Sequence, residues 1–225
     1  MILFDNVTKR YPSGAIALEN VTVKIADGEF VFIVGPSGAG KTTLLRLLIK
    51  DTLPTKGSVY MDNLEINKLP SGKVPYLRRK IGFVFQDFKL LLDRTVGENV
   101  SLSLDILGMK ETEKQGRMSQ VLGIVNLEGK ENYFPIQLSQ GEQQRVAIGR
   151  AIAGHTKVLL ADEPTGNLDP KTSWEIIKIL NEINKTGTTV LMATHNADVV
   201  NSMKKRVVKL ADGKVIKDEK KSRYE

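Results

Sequence analysis

One stretch constrains this chain more than any other: GPSGAGKTT, Gly35 to Thr43. It fits G-x-x-x-x-G-K-[S/T], a loop that wraps phosphate in backbone N–H groups. Its flanks fit as well. Phe30-Val31-Phe32-Ile33-Val34 is a short run of strand formers, and Leu44, Leu45, Leu47 and Leu48 give the next segment an apolar helical face. A phosphate loop between a buried strand and a helix points to an α/β fold built on a mainly parallel sheet. Gly35, Gly38 and Gly40 let the backbone approach an anion, and the start of the following helix adds positive potential. Lys41 is expected to reach the β- and γ-phosphates of a nucleotide, and Thr42 to put its hydroxyl on Mg²⁺. Pro36, Ser37, Ala39 and Thr43 complete the expected nucleotide contacts.

Residues 1 to about 30 read as strands: Ile2, Phe4, Val21, Val23 and Ile25 alternate with polar neighbours, the pattern of a sheet with one wet face. Tyr11-Pro12-Ser13-Gly14 and Asp27-Gly28 are turns. Ser58 to Met61 reads as a strand, Leu64 to Pro75 as irregular, and Ile81 to Phe85 as a buried strand followed directly by Gln86. Thr95 to Leu107 and Glu111 to Asn126 have helical spacing, so 87–156 reads as an inserted helical subdomain. Ser139-Gln140-Gly141-Glu142 matches a capping box opening another helix. Lys157 to Ala161 is a buried strand ending at Asp162-Glu163, and Asp169-Pro170 supplies the cap and first-turn proline of a helix through about Lys185. Thr188 to Ala193 is a strand ending at Thr194-His195; a short helix and a hairpin around Asp212-Gly213 follow. The expected division is 1–86 and 157–218 as a binding core with an antiparallel β subdomain, 87–156 as the helical subdomain, and 219–225 as a solvated tail.

Strands ending in Gly35, Gln86, Asp162 and His195 put polar groups where a parallel sheet binds ligands, at its carboxyl ends. Asp162 is then a second Mg²⁺ anchor beside Thr42, and Glu163 the best candidate to deprotonate an attacking water. Taken alone, Tyr11 fits a packing role as well as a binding one, Gln86 a surface amide, and His195 a structural hydrogen-bonder. No arginine is placed to stabilise charge on a transferring phosphate, so one chain reads as an incomplete site.

Length and charge add bounds. The 225 residues suffice for one large domain or a domain with an insert. A formal charge of +7 suits a nucleotide, an anionic membrane surface or nucleic acid, and does not choose between them. The absence of cysteine excludes disulfides and thiolate metal sites and allows a reducing cytosol. MILFDNVTKRYP does not read as a signal peptide, and no apolar run approaches the roughly 18–20 residues of a membrane span. Membrane association is expected only through a partner or a surface.

With these pieces in view, the chain resembles an ABC-type ATPase nucleotide-binding domain over essentially its whole length. GPSGAGKTT resembles Walker A, VLLADE (158–163) Walker B, FVFQD (83–87) the Q-loop, LSQGE (138–142) the signature, NLD (167–169) the D-loop and ATH (193–195) the H-loop. The resemblance implies a P-loop NTPase core, ATP as ligand with Mg²⁺, and hydrolysis to ADP and phosphate. It implies that Tyr11 stacks on adenine, that Gln86 joins the Mg²⁺ site and couples to a membrane partner, and that His195 contacts the γ-phosphate. It further implies a head-to-tail homodimer in which Ser139, Gly141 and Glu142 of one chain complete the ATP site of the other, with Asp169 at the interface. One departure is visible: the signature is usually LSGGQ, and Gln140 stands for a glycine at a tight interface. Ser139 and Gly141 remain, so function is expected to survive; a side chain at 140 that hinders close approach would slow dimerisation or turnover.

ADEPTGNLD (161–169) resembles the subgroup whose membrane partners transmit force more than they carry solutes, and residues 76–100 resemble its cell-division members. The implied complex holds this chain at the cytoplasmic face of the plasma membrane through an integral membrane partner, and acts on cell-wall hydrolases. Gln86 to Leu92 is the expected docking place for that partner. Lipoprotein release or efflux is the alternative within the subgroup. A soluble ATPase of DNA maintenance would carry a long coiled coil between Walker A and the signature; residues 44–137 hold no sustained heptad, and nucleic acid is not the expected partner. A kinase using the same loop leaves LSQGE unexplained.

Overall fold

A computed structural model describes residues 1–220 of the chain. Two sheets organise it. The first has the order β2-β1-β4-β5 and is antiparallel: β1 is Ile2–Arg10, β2 Ile16–Ile25, β4 Lys56–Met61 and β5 Leu64–Glu65. The second has the order β10-β9-β3-β8-β7-β6, with β3 Phe30–Val34, β6 Ile81–Val84, β7 Val158–Asp162, β8 Thr189–Thr194, β9 Arg206–Ala211 and β10 Lys214–Glu219. All its pairings are parallel except the closing β9–β10 hairpin.

Every residue of β3, β7 and β8 is buried, as expected of parallel strands covered on both faces. Alternation sorts their side chains between two cores. Phe30, Phe32, Val34, Leu159, Ala161, Val190 and Met192 face one core, shared with α3 (Val96–Ile106), α5 (Gln140–Ile152) and α6 (Pro170–Lys185). Val31, Ile33, Leu160, Leu191 and Ala193 face the other, shared with α1 (Lys41–Leu48) and with Ile2, Phe4, Val23 and Val59 of the antiparallel sheet. The leucines of α1 thus fill the space between the two sheets, which fixes the loop that precedes it.

Between β6 and β7 the described residues contain helices and turns only: α3, α4 (Glu111–Ile124), a 3₁₀ turn over Pro135–Gln137, and α5. Their apolar faces belong to the same core as one face of the parallel sheet. The start of α5 is a full capping box on Ser139 and Glu142, and Asp169 caps α6 through Thr172 N–H, with Pro170 in the first turn. A second capping box, Thr95 with Glu98, opens α3. α7 (Ala197–Met203) is capped by Asn196.

Some expectations shift. The stretch expected to be irregular, 64–75, contains β5 and a 3₁₀ turn at Ser71–Lys73 that runs into α2 (Val74–Arg78). β6 ends at Val84, so Phe85 separates it from Gln86. β10 runs to Glu219, so the expected tail over 219–225 loses its first residue to a strand; 221–225 lie outside the described residues.

Candidate nucleotide-binding site

Register sets the site. Val34 pairs with Thr194, Asp162 with Ala193, and Val84 with Ala161, so the strands end level at their carboxyl edge. The residues that follow, Gly35, Gln86, Glu163 and His195, emerge at one rim. A cleft of about 810 Å³ opens there, lined by Tyr11, Pro36 to Thr43, Gln86, Glu163 and His195, with Ala15, Ile16 and Ala17 along one side. That volume suits a ligand of nucleotide size.

The loop needs its glycines for space and for conformation. Gly40 has φ +101°, and a Cβ there would lie 2.2 Å from the carbonyl oxygen of Ala17. Gly40 also stands at the N-cap of α1 without a side-chain cap, and the first turn carries no acidic residue. The helix end is therefore open to an anion.

Lys41 is almost fully buried. Its Nζ donates to the carbonyls of Gly35 at 2.9 Å and Pro36 at 3.1 Å, and lies 3.6 Å from Glu163 Oε1. Thr42 Oγ1 donates to Asp162 Oδ1 at 3.0 Å. Burial pushes the Asp162 carboxyl above the usual carboxylate range, opposed by the Thr42 hydrogen bond; Glu163 raises it further, and Arg46 and Lys41 lower it. Hydroxyl plus carboxylate is a hard oxygen donor set. Among the described residues no group of three or more His, Asp and Glu is positioned to hold a metal. That combination fits Mg²⁺, which takes one or two protein oxygens and completes its shell from phosphate and water.

Glu163 is the non-glycine residue of the site held in the left-handed region, with φ +49°. Its N–H donates to the Ala193 carbonyl at 3.0 Å, anchoring it across β8. The carboxylate then spans two cations or potential cations: Oε1 faces Lys41, and Oε2 lies 3.0 Å from His195 Nδ1. Glu163 is sheltered while His195 is two-thirds exposed, its ring reaching out of the cleft. Tyr11 sits in the turn after β1, its hydroxyl 3.3 Å from Thr43 Oγ1 and its ring beneath Lys9 Nζ.

Ser139, Gly141 and Glu142 do not line this cleft. Ser139 and Gln140 are exposed at the start of α5. Glu142 Oε2 accepts from the N–H and the hydroxyl of Ser139, both at 2.8 Å, and its other oxygen takes an ammonium from Lys130. Lys130 holds the Glu142 carboxyl down at about 2, against burial that would raise it. Sequence reasoning missed Lys130: it lies on a loop without periodic pattern, 12 residues from its partner. Gly141 permits close contact with α6, because a Cβ there would lie 2.3 Å from Thr172 Cγ2.

The chain matches the ABC transporter family over residues 18–166. The cell division ATP-binding protein FtsE of Bacillus subtilis (strain 168) is 49% identical over 224 residues, covering 100% of this chain and 98% of its own. FtsE of Mycobacterium tuberculosis (strain ATCC 25618 / H37Rv) is 51% identical over 225 residues, with 100% and 98% covered. FtsE of Escherichia coli (strain K12) is 46% identical over 213 residues, with 95% and 96% covered. A dimeric ATP-binding cassette solved in a post-hydrolysis state with ADP and Pi superposes with a TM-score of 0.90 at 41% identity over 100% of both chains. A dimeric bacterial ABC transporter cassette gives 0.90 at 42% identity, again over 100% of both.

Proposed function

This chain belongs to the ABC transporter ATPase family, and on that premise we propose that it is the ATP-hydrolysing subunit of a cell-division complex, acting as FtsE does beside an FtsX-like integral membrane protein. The cell-division reading is supported by likeness that runs the length of the chain, 46–51% over 213–225 residues, rather than across the shared motifs alone.

In the mechanism this supports, Gly35 to Thr43 cradles the phosphates of ATP, and Lys41 leaves the loop carbonyls for the β- and γ-phosphates. Tyr11 receives the adenine. Thr42, Asp162 and Gln86 are the residues that would hold Mg²⁺, which supplies neutralising charge to the terminal phosphates. Glu163 accepts a proton from water as its oxygen attacks the γ-phosphorus and the bond to ADP breaks. His195 orients Glu163 by binding Oε2 and reaches the γ-phosphate. The remaining charge stabilisation comes from a second copy: its Ser139, Gly141 and Glu142 bring the start of α5 to the γ-phosphate. Binding ATP then draws two chains together, and hydrolysis releases them.

The movement is passed on at the groove beside Gln86 to Leu92. This groove, of about 530 Å³, is lined by Phe83, Phe85, Lys89, Ile106, Leu107 and Arg150 among others, and Arg150 pins it by donating to the carbonyls of Phe88 and Lys89. A helix of the membrane protein would dock there from the cytoplasmic face, bridging the core (1–86, 157–218) and the helical subdomain (87–156). No helix among the described residues is long and apolar enough to cross a membrane.

Glu163→Gln tests both parts. Turnover should fall by about 10²- to 10⁴-fold while ATP binding survives. The ATP-bound variant, pulled from membranes, should retain an FtsX-like protein, and depletion of the wild-type chain should give filamentous cells. Normal hydrolysis by Glu163→Gln would remove Glu163 as the base. Lipoproteins accumulating at the inner membrane on depletion would move the chain to lipoprotein release.

A further inference from the structure

The start of α5 poses an electrostatic problem. A helix N-terminus attracts an anion with about half a unit of positive charge. Glu142, in the first turn, sets a full negative charge on that end, and its carboxyl, held near 2, stays ionised at any physiological pH. Alone, it would repel the γ-phosphate it is meant to meet.

Lys130 answers that charge. The Glu142 carboxylate is divided: Oε2 is taken by the Ser139 N–H and hydroxyl, Oε1 by Lys130 Nζ. The pair is partly sheltered, Glu142 at 17% and Lys130 at 37% side-chain exposure, with the ammonium 5.7 Å from the centre of the Tyr133 ring. The loop that carries Lys130 is itself fixed. Lys130 N–H donates to Leu127, Tyr133 N–H donates back to the Lys130 carbonyl, and the carbonyls of Glu131 and Tyr133 accept from Gly97 and Val96 at the start of α3, both at 2.8 Å. The backbone that carries Lys130 is thus fixed on both sides, and its ammonium is set between Glu142 and the Tyr133 ring.

We propose that Lys130 is a positioning residue for the ATP site shared by two chains: it neutralises Glu142 and holds it on Ser139, so that the end of α5 meets the partner's γ-phosphate with its helix potential intact. This rests on the composite-site reading above. Lys130 touches no nucleotide and acts only through Glu142.

The test uses the full chain carrying Glu163→Gln, with Mg-ATP, and reads the chain concentration at the midpoint of dimerisation by sedimentation. Lys130→Ala should raise that midpoint about tenfold, a change of the size expected for one charge-assisted contact. Lys130→Arg should stay near the parent. Adding Glu142→Gln to Lys130→Ala should restore the midpoint, because glutamine keeps the capping box without the charge. ATP affinity of the separated chain should not move in any of them. An unchanged midpoint in Lys130→Ala, beside a parent that dimerises, overturns the Lys130 assignment alone. Loss that Glu142→Gln fails to restore overturns it too, leaving Lys130 a fold contact. A parent that stays monomeric with ATP overturns the composite site and this assignment together.

Discussion

Asp162 shows what a residue gives up for its task. Its carboxylate is buried beside Glu163, with one hydroxyl partner, and burial raises its pKa above the unfolded value. For an acid raised on folding, the folded chain binds the proton more tightly, so stability falls as pH rises from about the ordinary carboxylate value through the folded one, and the cost is fully present above the folded value. Asp162→Asn keeps an oxygen for the Thr42 hydroxyl and removes the charge. The nucleotide-free variant should melt higher than wild type at pH 7, the gain should vanish below about pH 4, and Mg-dependent hydrolysis should be lost. Thermal unfolding across pH checks the first two. Glu142 has the opposite sign. Its pKa falls from 4.5 to about 2 on folding, so its stabilisation is complete above 4.5 and is lost as pH drops towards 2. Glu142 minus glutamine at that position, measured by the same melts, should shrink through that window.

Elements decide which residues meet, and here the sequence was readable in proportion to how local each signal is. The phosphate loop, the Ser139 box and the Asp169-Pro170 start are each complete within a few residues, and the structure has all three. Thr95-x-x-Glu98 carries the same box signal at the start of α3, so that cap too is legible in the sequence. Residues 64–75 were not legible: a strand of 2 residues and a helix of 5 are too short to show a period. Lys130 and the approach of α5 to α6 arise from tertiary packing, which no spacing encodes. Gly141 is the clearest instance. Gly141→Ala drives a methyl group to within 2.3 Å of Thr172 Cγ2 and should destabilise the chain by about 1–3 kcal/mol. Thr172→Ser removes that methyl and should recover most of the loss. Denaturant unfolding of the single and double variants checks it; a double variant as unstable as Gly141→Ala would locate the clash elsewhere.

At the scale of the whole molecule, the proposed function has one chain divide its chemistry between two surfaces. The cleft is lined by the residues proposed to bind phosphate and to act as the base, while Ser139 to Glu142 lie outside that lining, at the start of α5. The parallel sheet levels the first set, and the capped start of α5 presents the second. Under the proposed function this division would give ATP a mechanical role, as the contact between chains, and the groove beside Arg150 would give that motion an outlet. A lone chain should bind ATP but hydrolyse it poorly. The direct measurement is ATPase activity per chain across a dilution series of the wild-type protein at saturating Mg-ATP, with sedimentation at each concentration. Activity per chain should rise with concentration and level off where the dimer saturates, and fall towards zero where single chains dominate. Activity per chain that stays constant down to concentrations where only single chains sediment would contradict it.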